Sequence, residues 1–306
     1  MVESGKYGFL DPMTENCSRL ISYHDMVMVV GVGVMAIVIY FLMFALYRQW
    51  FLTGYSCRFK TKCNWLEFCW TFIPGIILGV LGYFSWENLY LMELTDKADY
   101  HVKVTGHQWY WEYEYYMDSS NSLENDGEMD LPITSLPLKC QKKAVKLLMK
   151  FHTLLMDEGA FQIMPVLKIA MSMLGDIHLS YDSYNVDLKG VLEEATDSGV
   201  EVLPFLGQNA ANQVLYLPHG KMTEVTVCTA DVMHSWGVSA LGVKMDAVPG
   251  RANHLGINPY RVGYAYGNCY ELCGYGHGVM PITVLVLPEE EFMSSLIAMV
   301  WRALAD

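Results

Sequence analysis

Residues 26–46 read MVMVVGVGVMAIVIYFLMFAL, without one charged side chain. At about 1.5 Å per helical residue such a run reaches across the roughly 30 Å hydrocarbon layer of a bilayer, which predicts a transmembrane helix over about 26–48. A second apolar run at 68–91 is interrupted by Pro74 and several glycines and carries only Glu87. It predicts a second spanning helix over about 67–92. A helical hairpin buried in a soluble protein is the competing reading, and the first run is too long and too uniformly apolar for it. The connecting segment 47–64 holds Arg48, Arg58, Lys60 and Lys62 and no acid, whereas the tail before the first helix is acidic. Basic loops stay on the cytoplasmic or matrix side, so the tail and everything beyond residue 95 are expected on the other side. The first 25 residues lack a basic start and an apolar run ending in small residues; no cleavable signal peptide is expected.

From residue 100 the apolar period shortens to two. YHVKVTGHQWYWEYEYY (100–116) and NQVLYLPHGKMTEVTVC (212–228) alternate and are rich in β-branched and aromatic residues. GVSALGVKM, RVGYAYG and MPITVLVL continue the pattern between proline and glycine punctuation. Several short strands at this spacing predict a small sandwich or barrel. EEEFMSSLIAMVWRAL, with acids in its first turn, predicts a closing helix. The block from 117 to 178 departs from the pattern. A polar acidic stretch leads into two helical segments, with Lys139, Lys142, Lys143, Lys146 and Lys150 toward one side and Val145, Leu148, Phe151 and Leu155 on the other. It reads as an inserted amphipathic module, and packing on the barrel, docking on a neighbouring subunit and lying on a membrane surface all stay open.

With 53% hydrophobic and only 17% charged residues, the chain has apolar sequence left for lipid after filling a core. Acids outnumber bases by 33 to 20, and a net charge of −13 excludes nucleic acid while suiting a basic protein partner drawn by long-range attraction. Cysteines stand at 17, 57, 63, 69, 140, 228, 269 and 273. Only the last two share a chemical motif, so disulfides do not organise the fold.

In GNCYELCGYGHGVMPI, Cys269, Cys273, His277 and Met280 follow closely, preceded by His234 in DVMHSW. Thiolates, imidazoles and a thioether select a soft metal over magnesium or calcium, and copper fits best. A closed zinc site of two cysteines and two histidines competes, but it leaves the methionine unused and suits the compact Cys-x3-Cys-x3-His-x2-Met loop poorly. Mononuclear blue copper needs one thiolate, so the second suggests a second metal. If both sulfurs bridge two coppers, His234 with Met280 and His277 with the Glu271 carbonyl complete the two ligand sets. Shared thiolates would delocalise the odd electron, the pattern of an electron relay with no position open to a substrate.

These pieces, with LEFCWTFIP (66–74), VTGHQWYWEYEY (104–115), LSYDSY (179–184) and DVMHSWGVSALGVKMDAVPGR (231–251), resemble the second subunit of the haem–copper cytochrome c oxidases. The resemblance covers nearly the whole chain apart from 117–178. It implies an α+β membrane protein: a two-helix transmembrane hairpin, then a cupredoxin-like antiparallel β-barrel with a dinuclear copper (CuA) centre, here interrupted by a helical insertion. The expected domains are 1–98 for tail and hairpin, 99–288 for the copper domain and 289–306 for the C-terminal helix. The implied copper ligands are His234, Cys269, Cys273, His277, Met280 and the Glu271 carbonyl, and none is substituted. The Glu271 carboxylate would also hold a magnesium shared with subunit I. Trp109 would receive the electron from cytochrome c, and Asp231 and Asp182 would belong to the carboxylate surface that steers it. Tyr110 and Trp111 read as barrel packing. Glu67 would lie at the mouth of a proton path into subunit I, and an ordinary interfacial acid would look the same.

The implied function is to take single electrons from reduced cytochrome c and pass them to haem in subunit I, where oxygen is reduced to water with proton pumping. Oxidoreductase and translocase activity then belong to the complex, and this chain holds no complete catalytic site. Its partners would be subunit I, the other subunits, cytochrome c and the membrane. The expected location is the mitochondrial inner membrane with the copper domain in the intermembrane space, with a bacterial plasma membrane as the alternative. A quinol oxidase subunit would lack the copper ligands, and a nitrous-oxide-reductase-like protein would add a propeller. A copper carrier or a zinc-held adhesion domain would explain neither QWYW nor DVMHSW.

Overall fold

The computed structural model describes residues 8–51, 62–92, 98–117, 177–186 and 210–305. The helical module expected over 117–178 lies outside the described residues except at its ends, as do Arg58 and Lys60 of the connecting loop. The chain divides into two compact units, Ser18–Met92 on the one hand and Met1–Cys17 with Glu93–Asp306 on the other.

Two helices, α1 (Glu15–Phe51) and α2 (Asn64–Met92), are each long and apolar enough to cross a membrane; the helical unit takes α1 from Ser18 onward and all of α2. Their apolar side chains, Val29, Phe41, Leu78 and Tyr83 among them, point outward and need lipid or protein to cover them. Arg19 Nη1 lies 3.8 Å from Glu87 Oε1 and joins the start of α1 to the end of α2, as in an antiparallel hairpin. Pro74 sits inside α2, where the hydrogen bond it removes can be made good by neighbours. The first helix begins well before the apolar run at 26 because Thr14 caps it: Thr14 Oγ1 accepts from the Cys17 amide at 3.1 Å. The apolar run marks the part suited to lipid, not the whole helix.

The second unit is built on two five-stranded sheets. One has the order β3 (Ile177–Ser183), β2 (Tyr110–Met117), β1 (Tyr100–His107), β5 (Thr223–Thr229), β8 (Asn253–Ile257). The other has the order β4 (Leu215–Pro218), β10 (Pro281–Leu287), β9 (Gly263–Cys269), β6 (His234–Val238), β7 (Val243–Ala247). The expected antiparallel barrel is corrected in this respect: both sheets are mixed. β1 runs parallel to β5, with Val102 opposite Val225, and β10 runs parallel to β4, with Val284 opposite Leu215. Alternation in a strand states which face is buried and says nothing about the direction of its neighbour.

The inner faces interlock Val104, Trp111 and Tyr113 from one sheet with Leu217, Trp236 and Val284 from the other, all fully buried. α3 (Glu289–Ala305) closes the unit with Phe292, Leu296 and Ile297. Its three N-terminal acids oppose the helix dipole, and Tyr100 donates to Glu289 Oε1 at 2.9 Å. Met117 and Ile177 are paired across β2 and β3, so the inserted block leaves and re-enters at adjacent strand ends. This is where a hairpin connection would otherwise stand, and an insertion here leaves the strand pairing intact.

On the outer face, Glu114 accepts from Lys103 Nζ at 2.6 Å and Tyr116 OH at 2.7 Å, and lies 3.2 Å from His178 Nε2. Burial by itself would raise this carboxyl, but those three partners outweigh it and hold the pKa down to about 2. A carboxyl depressed in the folded state contributes stability above its ordinary value of 4.5 and loses it as pH falls toward 2. Glu114→Gln is therefore expected to cost about 2 kcal/mol at neutral pH. It should also flatten the acid loss of stability in that window, as read by urea titrations at successive pH values.

Candidate metal centre

Strand pairing brings together residues that the chain keeps apart. Trp236 of β6 lies opposite Cys269, the last residue of β9, so His234 at the start of β6 reaches the mouth of the loop 270–280. That loop ends at Met280, immediately before β10, and the β9–β10 pairing closes it. His234, Cys269, Cys273 and Met280 are all buried. The two sulfurs stand 3.9 Å apart, and both cysteines are free. Cys269 Sγ is 3.9 Å from His234 Nδ1 and 3.3 Å from the Glu271 carbonyl oxygen. Cys273 Sγ is 3.7 Å from His277 Nδ1 and 3.5 Å from Met280 Sδ. Among the described residues, His234, Cys269 and Cys273 form the group whose ligand atoms gather closely enough for one metal ion.

The imidazole of His234 is held from behind. Its Nε2 is 2.9 Å from Asp231 Oδ1, leaving Nδ1 toward the sulfurs. Asp231 is fixed in turn by the Val232 amide at 2.6 Å and the Gln108 amide at 2.6 Å. Gly106 lies beneath the ring, where a Cβ would come within 3.0 Å of His234 Cδ2. A carboxylate behind a ligating histidine fixes its tautomer and orientation.

Electrostatics follow the same contacts. Burial raises both thiols, but hydrogen bonds from His234, the backbone and His277 bring Cys269 down to about 6. Cys273, buried beside the charge on Cys269, is pushed up to about 12. Burial opposes protonation of His234, yet Cys269 and Asp231 shift it upward on balance. Burial likewise opposes ionisation of Asp231, and His234 with the two amides keeps it ionised.

The donor set fits copper. Sulfurs 3.9 Å apart stand close enough for a soft metal ion to be held by both. The thioether and the carbonyl are extra weak donors that a Cys2His2 zinc site would not use.

Trp109 packs over the same loop. Its Nε1 donates to the Cys273 carbonyl at 3.2 Å, and the neighbouring Gln108 Nε2 donates there at 3.0 Å. The ring fills space that Gly276 leaves open, since a Cβ at 276 would lie 2.4 Å from Trp109 Cγ. Trp111 is fully buried and touches His234 edge-on, donating to the Met280 carbonyl at 3.4 Å. Tyr110 instead lies on the outer face, stacked between His107 and Tyr184. Asp182 is on β3 opposite Glu112 and accepts from Tyr184 OH at 3.0 Å. Glu67 is exposed in the first turn of α2, in the other unit. Sequence reasoning missed Gln108 and the glycines at 106 and 276 as parts of the site. It also treated Asp231 only as a docking acid, although its place three residues before His234 was visible.

The chain matches the family described as cytochrome c oxidase subunit II, periplasmic domain, over residues 171–287, and the subunit II transmembrane domain over 3–87. It is 32% identical over 294 residues to cytochrome c oxidase subunit 2 of Branchiostoma floridae, covering 95% of each chain. With that of Cereibacter sphaeroides it shares 32% over 271 residues, 85% of this chain and 70% of the other. The crystal structure of the periplasmic domain of subunit II of cytochrome oxidase from Bradyrhizobium japonicum aligns with a TM-score of 0.41 at 24% identity, over 69% of this chain and 99% of that one. This chain belongs to the cytochrome c oxidase subunit II family: a membrane protein with a cupredoxin-like β domain and a subunit of a haem–copper oxidase complex.

Proposed function

We propose that this chain is the electron-receiving subunit of its oxidase, taking single electrons from reduced cytochrome c at a dinuclear copper centre and delivering them to haem in subunit I. The observation that carries this reading is the convergence of six donors, two thiols, two imidazoles, one thioether and one carbonyl, around sulfurs 3.9 Å apart. His234, Cys269, Cys273, His277, Met280 and the Glu271 carbonyl would hold the metals. Two coppers held by these residues would supply a centre that takes up and gives back one electron at a time.

The protein's own groups prepare that site. Asp231 presents His234 Nδ1 inward, while the buried sulfurs are shielded from water. Trp109, partly exposed and bonded to the Cys273 carbonyl, is placed to receive the electron. Asp231 and Asp182 contribute negative surface toward a basic cytochrome c. The Glu271 side chain, half-buried on the loop, would offer a hard oxygen to a magnesium shared with subunit I. Glu67 is proposed as the proton-path carboxylate on the opposite side of the membrane. The domain limits of 1–98, 99–288 and 289–306 are retained as functional divisions, and a mitochondrial inner membrane is the proposed location.

Asp231→Asn is expected to weaken copper binding by about 10–100-fold, because the amide cannot hold the imidazole with a full negative charge; competition with a chelator measures it. The test of the function as a whole is paramagnetic resonance of the copper-loaded full chain in detergent, with a copper count per chain. One unpaired electron shared by two coppers supports the relay. One copper per chain, or retained zinc with no signal, overturns it.

A further inference from the structure

Tyr270 stands between two residues of the proposed ligand set, Cys269 and Glu271, yet its side chain turns away from the metal centre. Its amide donates to the Ser235 carbonyl at 3.0 Å, and its hydroxyl shares a 3.0 Å hydrogen bond with Ser239 Oγ. One edge of the ring, Cδ2 and Cε2, lies against Gly237 of β6. A Cβ there would come within 2.6 Å of Tyr270 Cδ2, so the contact exists only because residue 237 has no side chain. Tyr270 therefore spans from the metal loop to the turn that joins β6 and β7.

That turn is itself held from its other side. Residues 239–241 form a single 3-10 turn ended by Gly242 at φ 66°. The segment before α1 crosses it: the Met13 amide donates to the Ala240 carbonyl at 2.8 Å and Thr14 Oγ1 to the Leu241 carbonyl at 2.7 Å. Cys17 Sγ donates to the Ser239 carbonyl at 3.4 Å. The Cys17 backbone lies so close to Gly242 that a Cβ at 242 would sit 2.7 Å from its Cα. Met13, Thr14 and Cys17 are buried. Ser239 thus takes the tyrosine at its hydroxyl and the N-terminal segment at its carbonyl. One continuous set of contacts runs from the residues that begin the first helix to the backbone of the metal loop.

We infer that Tyr270 is a positioning residue: a latch that pins the first half of the metal loop, and with it Cys269 Sγ and the Glu271 carbonyl, to a turn clamped by the N-terminal segment. Freeing the latch lets residues 269–273 sample geometries in which these donors no longer converge, so bound metal leaves faster. The inference rests on the copper reading of the loop, and its test separates the two.

In the full chain in detergent, copper release to an excess of chelator is timed alongside the paramagnetic signal. Tyr270→Ser should speed release by about tenfold, which at an unchanged association rate equals a tenfold loss of affinity, the lower end for residues that support metal ligands. Tyr270→Phe, which keeps the ring and loses the hydroxyl, should fall between. Gly237→Ala should speed release as much as Tyr270→Ser by displacing the ring while leaving the tyrosine in place. Combining the two should add little further, because the added methyl then has nothing to displace. A residue that merely stabilised the fold would speed release only in step with a fall in melting temperature, so Tyr270→Ser must speed release beyond what its melting temperature accounts for. Unchanged release in Tyr270→Ser, or additive effects in the double variant, would overturn the latch. Should the wild-type chain bind no copper, the copper reading fails by itself. The latch is then judged by hydrogen exchange of the 270–276 amides, which Tyr270→Ser must accelerate if the inference is right and must leave unchanged if it is wrong.

Discussion

Cys273→Ser is expected to abolish the paramagnetic signal of two coppers sharing one electron, with the β domain still folded. Cys273 Sγ lies between Cys269 Sγ, His277 Nδ1 and Met280 Sδ, at 3.9, 3.7 and 3.5 Å. In the proposed centre it is the sulfur nearest to those two later donors. A serine oxygen is harder and stays protonated at neutral pH, so it cannot bridge soft metal ions as a thiolate does. The change in volume is small, and the buried strands around the site keep their packing; far-ultraviolet circular dichroism should be unaltered. Cys228→Ser, a cysteine on β5 outside the centre, is the matched control and should leave the signal intact. A shared-electron signal that survives in Cys273→Ser would remove this residue from the ligand set.

Trp109→Phe should slow electron uptake from reduced cytochrome c by about a hundredfold, the scale on which small misplacements act, with the copper signal unchanged. The indole contributes a hydrogen bond to the Cys273 carbonyl that phenylalanine cannot make, while a six-membered ring still covers Gly276. Trp109→Ala is a less selective probe. It would empty the space against Gly276 and loosen the loop itself, so slowed uptake would be joined by weaker copper binding. Rapid mixing of the assembled oxidase with reduced cytochrome c distinguishes the cases. Undiminished uptake in Trp109→Phe would leave the tryptophan a packing residue only.

Both predictions depend on residues that could be picked out before any coordinates, though for different reasons. Cys269, Cys273, His277 and Met280 fall within twelve positions, and a proposed ligand set compressed into a few residues can be picked out from spacing. Trp109 was reachable only through the QWYW motif. Its bond to the Cys273 carbonyl joins positions 164 residues apart, and nothing local announces it. Asp231 shows the same division. Its identity near His234 is written in DVMHSW, but its hold on His234 Nε2 depends on the turn made with Thr229 and the Gln108 amide.

The fold divides along that line too. Length and uniform apolarity of 26–46 suffice for a spanning helix, because lipid acts on each residue separately. The cap at Thr14 depends on local chain geometry that hydropathy does not register, and the start of α1 was missed for that reason. Alternation located β1, β2, β5 and β10, since period two is a property of a single strand. It passed over β8, whose NHLGI is too short and too polar at its start to stand out.

By itself the sequence determined the two apolar helices, the faces of most strands and the chemical softness of the donor set, because each is a property of residues within one short window. The tertiary structure alone decided that β1 lies parallel to β5 and that the two ends of the insertion meet. It likewise decided that Asp231 and Gly106 orient His234, and that the N-terminal segment reaches the metal loop through Ser239 and Tyr270. Each of those depends on contacts between distant segments, and only the closing of the whole core, where side chains must fill space together, selects one such set.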